Sequence, residues 1–176
     1  RKDININFVE ISEDKRYNFK DNFFSVISCF MVLHHVKNLD FVMKELNRIL
    51  EMGGYIYATE HQVVNNSEKM LCDIEHSIYE ISYRGHTDFH KEFYSEYKHW
   101  IEWDIIFSNY GFEPVGGNVL FYNITEETDP TKKAWILYKK IKSGPFFSTI
   151  LCCSSMTNTH QPRTRSLKIL MIHSRP

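Results

Sequence analysis

"FSVISCFMVLHHVKNLDFVMKELNRILEMGGYIYATEH", residues 24–61, changes its hydrophobic period twice. The run from Phe23 to Phe30 is almost continuously apolar and of strand length, the pattern of a strand buried on both faces of a parallel sheet. Leu39, Val42, Leu46, Ile49 and Leu50 then recur at three- and four-residue spacing, which predicts a helix. Asn38 stands where an amino-terminal cap belongs, and Gly53-Gly54 where a stop belongs. "GGYIYATEH" restarts as a strand. Strand, helix and strand at this spacing make a βαβ unit, whose right-handed crossover sets the two strands parallel.

The flanks extend this reading. Before it, "ININFVEI" (residues 4–11) alternates apolar and polar residues as a strand does, and "SEDKRYNFKDN" follows as a loop. After it, "NNSEKMLCDIEHSIYEISYRG" reads as a helix with Met70, Leu71, Ile74, Ile78 and Ile81 on one stripe and Gly85 beyond its end. "SEYKHWIEWDIIFSNYG" reads as a third helix, with Trp103, Ile106 and Tyr110 in line and Gly111 as the stop. "FEPVGGNVLFYN" and "KKAWILYKKIK" read as late, antiparallel strands. The fold class is α/β through about residue 142. Residues 143–176 contain no acidic residue, four basic ones and no sustained period, and read as a basic, poorly ordered tail. A basic arm for nucleic acid and a sequence not selected for this fold are both open for it.

Composition bounds the function class. The chain of 176 residues is 43% hydrophobic and 15% aromatic, enough to bury a core of about one domain. Its formal charge of −1 gives no overall pull toward nucleic acid or anionic membrane. No apolar stretch reaches the roughly 20 residues of a membrane-spanning helix, and no signal peptide opens the chain, so the default compartment is cytoplasmic. Cys29, Cys72, Cys152 and Cys153 form neither a disulfide framework nor a CxxC pair. The chain begins with Arg1 rather than Met, as a fragment of something longer would.

In an open parallel sheet, ligands bind outside the carboxyl ends of the strands, which places Asp21–Cys29 and the loop after it at a ligand position. The segment from Phe19 to His61 resembles the part of class I S-adenosylmethionine-dependent methyltransferases, of the methyltransferase type 11 sort, between the fourth and fifth strands. Phe24, Ser28, Leu33-His34-His35, Glu45, Arg48, Leu50 and Gly53-Gly54 stand in register with that family's pattern. Ser25 departs from it where Asp is usual, and Met52 where Pro is usual. A looser similarity extends to methyltransferases of large DNA viruses. The resemblance covers residues 4–142 and implies the second half of a Rossmann-like sheet, ending in an antiparallel strand pair. The family's glycine-rich loop and ribose-binding acid have no counterpart here, so residues 1–142 read as a partial methyltransferase domain.

The resemblance implies S-adenosylmethionine as cofactor, and methyl transfer to an unidentified acceptor, RNA or a small molecule. By it, Glu13 matches the acidic adenine contact, with Ser12 and Asp14 as its neighbours in a one-residue shift. Ser28, Cys29 and Phe30 line the methionine part of the cofactor. Read as plain residues, Glu13 is equally a solvated loop acid and Cys29 a small buried residue. Glu60 and His61 end the second strand and are the candidates for a general base; the alternative is a paired surface couple. Of the adjacent histidines, one is expected to pack under the helix that starts at Leu39 and the other to face the cleft. His35, His76 and Tyr79 are the substrate-side candidates, with Tyr94 and Tyr97 beside them, and ordinary packing is the alternative for each. No metal site is expected, because adjacent histidines point apart and no further ligand stands at a matching spacing. A second function class stays open: a non-catalytic half-domain acting as an interaction or scaffold module, which a partner subunit or a missing amino-terminal half would complete.

Overall fold

The computed structural model describes residues 9–84, 94–115, 120–122 and 133–144. Residues 4–8 of the first expected strand, Gly85 and the tail beyond residue 144 lie outside them. Strands β1 (Phe24–Phe30), β2 (Leu50–His61), β3 (Phe112–Pro114), β4 (Leu120–Tyr122) and β5 (Lys133–Lys140) form one sheet in the order β1-β2-β5-β3, with β4 also on β5. Helices α1 (Leu39–Ile49), α2 (Asn66–Arg84) and α3 (Trp100–Asn109) connect them. β1 and β2 are parallel, as the βαβ reading requires, while β2, β3 and β4 all run antiparallel to β5.

α1 is capped as expected: the Asn38 side chain accepts from the Phe41 backbone N–H at 3.2 Å. Its apolar face, Val42, Met43, Leu46 and Ile49, joins Ile27, Cys29, Ile56 and Ile136 of the sheet in the core. Gly53-Gly54 is not the stop. The helix ends at Ile49 and β2 begins at Leu50, because the buried Lys140 ammonium donates to the carbonyls of Asn47 and Leu50, both at 2.7 Å, and satisfies the last turn. The glycines instead serve a bulge. Pairing jumps from Phe24↔Leu50 to Val26↔Tyr55, Gly53 takes φ of 78°, and a Cβ on Gly54 would meet the Ser25 carbonyl oxygen at 2.9 Å.

Two further expectations change. β1 is not covered on both faces: Phe24, Ile27 and Cys29 are buried, but Val26 and Phe30 are exposed. The run is apolar because Phe24, Ile27 and Cys29 build the core, while Val26 and Phe30 are left exposed among the described residues. On α2 the stripe exists, but Met70, Ile74, Ile78 and Ile81 face away from the described core, while Cys72 and Glu80 are buried. The polarity of α2 is therefore inverted relative to a core-packing helix.

α3 begins at Trp100, five residues into the expected segment, where His99 and Glu102 form a reciprocal cap. Trp103 and Phe107 turn inward, and Phe107 stacks on Tyr138 with ring centroids 3.8 Å apart. Gly111 closes the helix at φ of 81°. A Cβ there would approach the Lys142 carbonyl oxygen to 2.7 Å.

Candidate functional site at the carboxyl ends of β1 and β2

Parallel pairing brings the ends of β1 and β2 side by side, with Phe30 opposite Thr59. β1 then turns abruptly. Met31 donates its N–H to the Thr59 carbonyl at 2.8 Å and adopts φ of 49°, a region that residues other than glycine seldom occupy. The strained turn leads into a 3-10 helix, Leu33–His35, and points three successive backbone N–H groups at one carboxylate. Val32, Leu33 and His34 donate to Glu60 at 3.2, 2.7 and 3.4 Å. The His34 Nδ1–H donates to the same carboxylate in a short bond.

Glu60 is 3% exposed and His61 2%, so the surface-couple reading of this pair does not hold. Both Glu60 oxygens already accept hydrogen bonds, which makes Glu60 the anchor of the turn rather than a free base. Burial pushes its carboxyl up to about 7, against the downward pull of the backbone N–H groups. Burial pulls His34 down to about 3, with the charge of His76 adding to the effect, so His34 is a neutral imidazole.

The two adjacent histidines stay in ring contact, with centroids 4.0 Å apart, and neither is bonded to α1 among the described contacts. His34 is buried against the end of β2 and against α2, with its ring centroid 4.9 Å from His61 and 5.3 Å from His76. His35 is half-buried and its Nδ1–H donates to the Tyr94 carbonyl at 3.0 Å. On α2, the His76 Nδ1–H donates to the Cys72 carbonyl at 2.7 Å, one helical turn back, and the Tyr97 hydroxyl lies 3.1 Å from the same nitrogen. His76 Nε2 then faces His34 Nε2 at 3.3 Å. A ring nitrogen from each of His34, His61 and His76 lies within 4.8 Å of the other two.

Sequence spacing missed this three-histidine cluster. Its members are brought together only by the parallel register and by α2 folding back over the strand ends. The usable signal was topological: His61 ends the strand that neighbours the one leading into His34.

The other expected residues are placed as follows. Glu13 is not a solvated acid: its carboxylate accepts from the Lys37 and Asn38 N–H groups at 2.8 and 3.1 Å, tying its loop to the start of α1. Cys29 points into the core, fully buried, and burial raises its thiol far above the ordinary value. It is a packing residue, and only its backbone can border a ligand. Ser28 is half-buried, and the exposed Phe30 ring meets Trp135 edge-on. Tyr79 is 58% exposed on α2, one turn beyond His76.

A family model described as a methyltransferase domain matches residues 1–58. No curated protein sequence matches the chain. Among solved structures, a Haloferax volcanii methyltransferase in complex with a methyltransferase activator is 12% identical, over 75% of this chain and 60% of that one, with a TM-score of 0.51. The fold is that of Rossmann-like methyltransferases. A Bacillus halodurans protein described as a methyltransferase is 14% identical over 76% of this chain and 77% of that one, with a TM-score of 0.49. A Methanosarcina mazei S-adenosylmethionine-dependent methyltransferase is 17% identical over 71% and 63%, also at 0.49. In this fold, the turn after β1 and the end of β2 lie at the carboxyl edge of the parallel pair, where open α/β sheets as a class place their ligands.

Proposed function

We propose that the protein transfers a methyl group from S-adenosylmethionine to an acceptor that is RNA or a small molecule. The supporting observation is the edge formed by β1 and β2, where a strained Met31 and an amide-anchored Glu60 fix the strand end against an open surface bearing Ser28 and Phe30. The match of residues 1–58 to a methyltransferase-domain model supports the same reading. S-adenosylmethionine supplies an already activated methyl group. The protein has to hold donor and acceptor in line, which a rigid strand end does well.

In this reading the carbonyls from Ser28 to Phe30 and the Phe30 ring run along the methionine part of the cofactor. Glu13 borders the adenine through its loop rather than through its occupied carboxylate. His35 and His76 stand toward the acceptor and Glu60 positions the turn; His61 is not the base, because burial pulls its imidazole down to about 2 and keeps it neutral. Closing the cofactor site calls for a glycine-rich loop from an upstream segment or a partner subunit. The scaffold reading is less favoured, because a scaffold has no need of three histidines gathered at the strand ends. Incubation with radiolabelled S-adenosylmethionine and a panel of nucleosides, capped RNA and small acids tests the proposal. Label in one acceptor class supports it, and label in none, with no cofactor bound, refutes it.

A further inference from the structure

The cluster of His34, His61 and His76 gathers three ring nitrogens within 4.8 Å of one another. His34 and His76 each donate their Nδ1–H outward, to the Glu60 carboxylate and to the Cys72 carbonyl. With Nδ1 of each ring so occupied, the two Nε2 atoms face each other across 3.3 Å. Two lone pairs at that separation repel unless something positive lies between them. His61, 2% exposed, adds a ring nitrogen with no hydrogen-bond partner among the described residues.

We infer that His34, His61 and His76 bind one divalent transition-metal ion, of the zinc class. Tetrahedral coordination at about 2.0–2.1 Å from each nitrogen separates two imidazole ligands by about 3.3 Å, which is the distance found between the Nε2 atoms. Tilting one ring brings the third donor in from within its 4.8 Å span. The outward hydrogen bonds are those of ligating histidines: a carboxylate behind one ring and a backbone carbonyl behind another fix the tautomer that presents a lone pair to the metal. Three neutral nitrogens suit zinc and its neighbours rather than calcium or magnesium, which prefer oxygen. The fourth position is left for water or for an acceptor oxygen, which the ion would polarise. With the ion bound, His61 is a ligand. The site does not depend on methyl transfer: metal binding without transferase activity would leave it standing.

The test uses the full 176-residue chain, stripped with a chelator and titrated with Zn²⁺ against a fluorescent indicator, and with Co²⁺ read by its visible absorption. The expected result is one equivalent of zinc and the intense cobalt bands of a four-coordinate site. His76→Ala, at a half-buried helix position, weakens binding by about 100-fold or more while circular dichroism stays native. His99→Asn, which keeps a helix cap away from the cluster, leaves binding unchanged. Absence of zinc binding by the unmutated chain overturns the inference and assigns a shared proton to the space between the Nε2 atoms. Equal binding by His76→Ala overturns it too, because the ion then sits elsewhere.

Discussion

Glu60 shows how much one buried carboxylate can organise. It receives three backbone N–H groups and an imidazole N–H, so replacing it leaves buried donors without acceptors. Glu60→Ala is expected to cost about 3 kcal/mol or more in urea denaturation, and Glu60→Gln, which keeps one carbonyl oxygen, less than half of that. Equal losses would mean that volume rather than hydrogen bonding matters at this position. Its partners were not legible from sequence. A strand-ending Glu-His pair reads as a base or a surface couple until the parallel register places the turn after β1 against it. His76 was legible only as a stacking residue, since nothing in residues 66–84 says that α2 turns that side to the strand ends.

The elements were read more surely than their surroundings. The period change from strand to helix over residues 24–50 and the Asn38 cap are local properties, so sequence carries them. The stop of α1 depends on Lys140, ninety-three residues from Asn47, and was therefore misassigned to the glycines. Those glycines have their own test: Gly54→Ala forces a Cβ against two carbonyl oxygens at 2.9 and 3.0 Å and should destabilise the βαβ unit by about 1–3 kcal/mol. The exposed stripe of α2 gives the opposite expectation. Ile78→Lys changes unfolding free energy by no more than about 0.5 kcal/mol, whereas a core position would lose several times that in the same denaturation experiment. α1 also ties down the loop before β1. Arg48 bonds Glu45, Asp21 and the carbonyls of Tyr17 and Phe19. The hydrogen bond from Arg48 holds Asp21 below its ordinary range; at Glu45 burial opposes, but the Arg48 and Tyr17 hydrogen bonds prevail and the carboxyl is likewise lowered. Folded-state values below the unfolded ones mean that this stabilisation is complete above the ordinary Glu value of 4.5 and fades as pH falls through the folded values. Stability should therefore drop with acid below that point, and Arg48→Met should flatten the drop in a pH series of thermal melts.

The sheet as a unit pairs two parallel strands with an antiparallel β5, and no described helix is long and apolar enough to cross a membrane. Its class was legible because alternating strand and helix patterns constrain topology strongly. The chemistry at its edge was only partly so, because the residues that meet there come from β1, β2 and α2 and share no motif. Everything proposed for the reaction depends on that edge holding the cofactor. Calorimetric titration of the full-length protein with S-adenosylmethionine, beside Ser28→Arg, tests this most directly. Saturable binding that Ser28→Arg abolishes, with circular dichroism unchanged, is the predicted result; no binding by the unmutated protein, or equal affinity in the variant, would contradict it.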